Sequence, residues 1–94
     1  MKSAYELAME RLADREPFVK LTIAQKQELA DLGARYEAKI AERKTFLAGK
    51  IKEAEARGDA ADADQFRAQL RRDLAALTEE LEAKKNAVRK KSAN

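Results

Sequence analysis

The chain has no cysteine, no histidine and no tryptophan, one proline, three glycines and five aromatic side chains in 94 residues. Without cysteine there is no disulfide and no thiolate nucleophile, and without histidine the common structural zinc sites and imidazole acid–base chemistry have no residues to build on. The Glu-x-x-His pairs of helical di-iron enzymes are missing for the same reason. No stretch approaches the roughly 20 apolar residues of a membrane span. The opening Met1-Lys2-Ser3-Ala4-Tyr5-Glu6 runs into alternating charges rather than the roughly 7 to 15 apolar residues of a secretory signal, so a cytoplasmic protein is the expectation.

Ala, Glu, Lys, Leu and Arg together make 61 of the 94 residues, the bias of long helices and coiled coils. Of the 42 hydrophobic residues 20 are alanine, which leaves 22 large apolar side chains and implies a thin, linear core. Net charge is +3, but it is segregated: residues 1–33 net −1, 34–58 net +3, 59–83 net −4 and 84–94 net +5. A basic segment followed by an acidic one suggests two arms that attract each other when folded back antiparallel.

Capping chemistry marks three helix starts: Ser3 with Glu6, Thr22 with Gln25, and Asp59 with Asp62. Pro17 ends the first helix near Arg15, and Gly58 suits the left-handed position that closes the second after Arg57. Helices are therefore expected over about 3–15, 22–57 and 59–90. Residues 1–21 form an N-terminal helix and Pro-containing linker, 22–90 a hairpin turning near Gly58, and 91–94 a tail. The fold class is all-α, a short N-terminal helix followed by a long antiparallel helical hairpin.

Leu29, Leu32, Tyr36, Ile40, Leu47, Ile51 and Ala54 share one stripe of the second helix, with Arg43 as its polar interruption. Ala63, Phe66, Leu70, Leu74, Leu77, Leu81 and Val88 share one stripe of the third, interrupted by Lys84. Folding at Gly58 sets Ala54 against Ala63, Ile51 against Phe66, Leu47 against Leu70, Ile40 against Leu77, Tyr36 against Leu81, and Leu29 against Val88. In this register Arg43 lies opposite Leu74 and sends its guanidinium toward Asp73, while Gly33 faces Lys84, either as a place of close helix approach or as a tolerated surface glycine. Arg35, Lys39 and Arg43 are expected to partner the acidic third helix.

Tyr5, Met9, Leu12, Phe18 and Phe46 lie off the hairpin stripes and are the candidate protein-interaction residues; Ile23 is similarly left over. The N-terminal set is expected either to dock on the open end beside Leu29, Leu32 and Val88 or to be covered by a second chain. Asp59, Asp62 and Asp64 lack the alternation and central glycine of a calcium loop, and fit better as acids favoured by a helix N-terminus. Ser3, Ser92, Thr22, Thr45 and Thr78 have no histidine base, a Ser-Lys arrangement would need a pocket that a two-helix hairpin cannot form, and there is no glycine-rich phosphate loop. Catalytic, cofactor-binding and metal-binding residues are therefore expected to be none, and the chain is not expected to be an enzyme. Lys84, Lys85, Arg89, Lys90 and Lys91 are candidate phosphate contacts, although basic groups at a helix C-terminus are also stabilising in themselves.

The runs Ser3-Ala4-Tyr5-Glu6-Leu7-Ala8-Met9-Glu10-Arg11-Leu12, Lys20-Leu21-Thr22 and Tyr36-Glu37-Ala38-Lys39-Ile40-Ala41-Glu42 resemble a group of small bacterial coiled-coil proteins. That resemblance implies a helical fold and carries no activity. Asp59, Ala63, Phe66, Arg67 and Leu70 are similar to the hairpin interaction motif of bacterial excision-repair proteins and some chaperone ATPases, from which Ala60 and Asp64 depart. This second resemblance implies a protein-docking module. The expected function is non-catalytic protein association, first with a second copy of the chain; the alternative is a nucleic-acid- or ribosome-associated factor using the basic C-terminal helix.

Overall fold

A computed structural model describes residues 3–6 and 21–91. Two long antiparallel helices, α1 (Ile23–Ala56) and α2 (Ala60–Lys90), pack along their length as an all-α hairpin. Each arm is roughly 50 Å long at about 1.5 Å per residue. At the N-terminus residues 4–6 are helical, and the Ser3 hydroxyl accepts from the Glu6 amide at 3.2 Å. Met9, Leu12, Pro17 and Phe18, and with them the expected end of the first helix, lie outside the described residues, as do residues 92–94.

Local chemistry sets each helix end. The Thr22 hydroxyl accepts from the Gln25 amide at 3.0 Å while Gln25 Oε1 accepts from the Thr22 amide at 2.8 Å, a reciprocal capping box. At the other end of α1, Gly58 takes φ +74°, a conformation that costs an L side chain. There the Gly58 amide donates to Glu55 O (3.0 Å) and the Asp59 amide to Ala54 O (2.9 Å), which satisfies carbonyls the helix leaves open. Asp59 then starts α2 directly, its Oδ1 accepting from the Asp62 amide at 3.0 Å.

Every expected seam residue is buried or half-buried. Tyr36, Leu47, Ala54, Ala63 and Val88 are buried, while Leu29, Ile40, Ile51, Phe66, Leu70, Leu74, Leu77 and Leu81 are half-buried, as a two-helix contact must leave them. Ala54 and Ala63, at 0% and 1% exposure, are enclosed beside the turn. Arg43 Nε donates to Asp73 Oδ2 at 2.7 Å, the contact expected from the register. Gly33 marks no close approach, because a Cβ built there would meet nothing within 4 Å. The expectation for Arg35 and Lys39 needs correcting: neither forms an ion pair with α2 among the described residues, and Lys39 instead places its ammonium 4.7 Å from the centre of the Tyr36 ring, one turn away.

Candidate interaction surfaces

The residues near the turn are occupied with one another. Arg57 pairs with Asp62 at 2.8 Å, and Arg67 bridges Asp64 (2.8 Å) and Glu55. The acids Asp59, Asp62 and Asp64 are thus a cap and two ion-pair partners, and among the described residues no group of three or more acidic side chains is placed to hold a metal ion. The residues that resemble the excision-repair hairpin motif are used inside the hairpin: Asp59 caps, Ala63 is buried, Arg67 makes ion pairs, and Phe66 and Leu70 lie half-buried in the seam.

Tyr36 organises the middle of the open half. Its ring is fully buried, with the Lys39 ammonium 4.7 Å and the Lys84 ammonium 5.2 Å from its centre. The hydroxyl has no partner at regular hydrogen-bond geometry. A looser polar contact between that hydroxyl and the Lys84 ammonium is the main reason the Lys84 pKa is raised above the ordinary 10.5, with Glu80 adding to it at 3.7 Å. The pattern that made Lys84 a polar interruption of the α2 stripe therefore places it on an aromatic face.

At the open end Gln25 does more than close its capping box. Only 8% exposed, it donates from Nε2 to the Val88 carbonyl at 3.2 Å and so ties the first turn of α1 to the end of α2. Sequence reading missed this role because the capping box already accounts for a glutamine at that position. Beside the clasp is an open groove of ≈ 320 Å³, with Leu32 and Val88 as apolar floor and Glu28, Asp31, Arg35 and Lys84 among its walls.

The five basic residues of the C-terminal turns do not make one face. Lys84 turns to Tyr36 and Glu80, Lys85 is half-buried, Arg89 bonds Asn86 at 2.9 Å, and Lys90 and Lys91 are exposed. Arg89 and Lys90 occupy the last turn of α2, where they favour the negative end of the helix dipole.

The candidate interaction residues inside the described range are exposed: Tyr5 at 74% and Phe46 at 54%, together with Ile23 at 80%. Phe46 stands on the outer side of α1, its ring flanked by the Arg43 guanidinium (5.8 Å) and the Lys50 ammonium (5.6 Å). It borders a shallow groove formed with Ala38, Ala41, Glu42 and Thr45. No helix among the described residues is long and apolar enough to cross a membrane. No protein-family model matches the chain, and neither a curated protein nor a solved structure matches it.

Proposed function

We propose that this chain is a non-catalytic helical hairpin that works by protein association, in the first place with a second copy of itself. The observation that supports the reading is the imbalance between what the hairpin buries and what it leaves out. Among the described residues five apolar side chains are buried, two of them alanines, while Phe46 and Ile23 remain more than half exposed on α1. Ordering costs about 1.5 kcal/mol per residue, so a two-helix chain with one thin seam gains much from a further surface. On this reading the protein is bacterial, as its resemblance to small bacterial coiled-coil proteins implies, acts in the cytoplasm, and needs neither cofactor nor metal.

Sedimentation equilibrium at tens of micromolar tests the proposal. The expected mass is twice the 10.6 kDa of the chain, and Phe46→Glu should shift it toward the monomer while far-ultraviolet circular dichroism still reports helix. A well-folded monomer at millimolar concentration would overturn it.

A further inference from the structure

The outer faces of the two arms differ in chemistry. On the same alternating steps the outer face of α2 carries Arg72, Ala76, Glu79, Ala83, Asn86 and Lys90, all exposed. On α1 the side turned away from the seam presents Ala34, Ala38, Ala41, Thr45 and Ala48, again all exposed, an uncharged run bounded on the same steps by the exposed Asp31 and Lys52. In a chain that is 39% charged, such a face is not what solvation alone would select. Gly49 lies beside it in mid-helix, where a Cβ would meet nothing within 4 Å, so no contact among the described residues calls for its small size.

These positions follow the alternating three- and four-residue steps of a coiled-coil seam. Ala34, Ala41 and Ala48 occupy one line of it, and Ala38 and Thr45 the other. The flanking positions are then fixed: Arg35 and Glu42 on one side, Glu37 and Lys44 on the other. All four are outside the ion pairs of the described residues.

Orientation follows from these charges. When two copies of the face run antiparallel, Ala38 meets Ala41 and Ala34 meets Thr45. The same alignment sets Arg35 opposite Glu42 and Glu37 opposite Lys44 of the second copy, and symmetry repeats each pair. A parallel alignment instead sets Glu37 against Glu42, like against like. We propose that the occupant of this face is a second copy of the chain, packed antiparallel α1 to α1 about a two-fold axis near residues 39 and 40. This rests on the self-association reading above and adds its face, direction and register. The small side chains let the helices approach closely, and Phe46 borders the contact on the Arg35 and Glu42 side.

Because the chain has no cysteine, single cysteines report the geometry cleanly. In the antiparallel dimer Ala34→Cys in one copy meets Thr45→Cys in the other. Like cysteines are 11 residues apart along the contact, about 16 Å, beyond the roughly 7 Å that a disulfide can span. Oxidising an equimolar mixture of the two variants should therefore give a disulfide-linked heterodimer, and oxidising either alone should give none. Self-linking of either variant would overturn the antiparallel direction. No linkage in the mixture, with sedimentation still returning twice the chain mass, would overturn the face and leave self-association standing; a monomer would remove both. As a second measurement, Glu37→Lys should weaken the dimer about tenfold, because both symmetry-related pairs become repulsive, and the charge-swapped Glu37→Lys/Lys44→Glu should return to about the original affinity. Equal affinities for wild type and Glu37→Lys would overturn the register.

Discussion

From Arg43 across the turn to Asp73 ion pairs concentrate, Arg43 with Asp73, Lys50 with Glu53, Arg57 with Asp62, and Arg67 with Asp64 and Glu55, while Lys44, Lys52, Arg71 and Arg72 stand outside the ion pairs of the described residues. In the half that carries the chain ends, Glu28, Asp31 and Arg35 line one groove with no ion pair among the described residues, and Lys84 is spent on Glu80 and the Tyr36 ring. The buried side chains differ in the same sense. Near the turn they are Leu47, Ala54 and Ala63; toward the open end they include a glutamine. The difference follows from sequence separation. A contact between Glu55 and Arg67 spans 12 residues, whereas Gln25 must reach Val88 across 63, and closing the longer loop costs more chain entropy. The turn therefore sets the register with small side chains and local caps, and the open end needs a specific hydrogen-bonded clasp to stay in step.

The sharpest way to break this comparison is to empty the seam in each half. Leu47→Ala removes a fully buried side chain and should cost about 3 kcal/mol, while Leu29→Ala, half-buried at the open end, should cost about 1 kcal/mol. Thermal unfolding followed by circular dichroism measures both; equal losses would mean that the two halves are equally committed. The next effect is smaller and concerns the two devices that hold the ends. Gly58→Ala should cost about 1 to 2 kcal/mol because φ +74° strains an L side chain, and Gln25→Ala about 1 kcal/mol for the clasp and half of its capping box. Hydrogen exchange would sharpen the contrast: Gln25→Ala should speed exchange mainly in the chain-end half, and Gly58→Ala should destabilise the whole hairpin.

The smallest effect lies at Lys84 and is read as a pH dependence. Its pKa is raised in the folded chain, chiefly by Tyr36, so the contact contributes fully below the ordinary 10.5 and is lost as pH rises through the folded value. The stability gap between wild type and Lys84→Gln should therefore close above about pH 10.5 rather than at acid pH. Tyr36→Phe keeps the buried ring and removes the hydroxyl, and should return the Lys84 titration toward the ordinary value by nuclear magnetic resonance. An unchanged Lys84 titration would show that the hydroxyl does not act on it.

Much of the hairpin was legible because its signals are local or periodic. Thr22 with Gln25, Gly58, and Asp59 with Asp62 are cap patterns that act over three or four residues, and the two apolar stripes share one period, so folding at the glycine brings them level. The Arg43 to Asp73 contact follows from that register. The second role of Gln25 was not legible, since nothing in a capping box says that the same amide will meet a carbonyl on the other arm. Nor was the preference of Lys39 for its own Tyr36, because an aromatic ring one turn away and an acidic helix across the seam are both plausible partners for a lysine.

Sequence by itself determined the two long helices, the place where they reverse, the Arg43 to Asp73 contact between them and the exclusion of cysteine and histidine chemistry, since composition, caps and period are properties of short windows. Only the tertiary structure decided which charges pair around the turn, that the Tyr36 hydroxyl is enclosed without a regular partner, and that Ala34, Ala38, Ala41, Thr45 and Ala48 opposite the α1 seam stay exposed. Those outcomes depend on distances between residues far apart in the chain, and a side chain chooses among several compatible partners only when packing has set those distances.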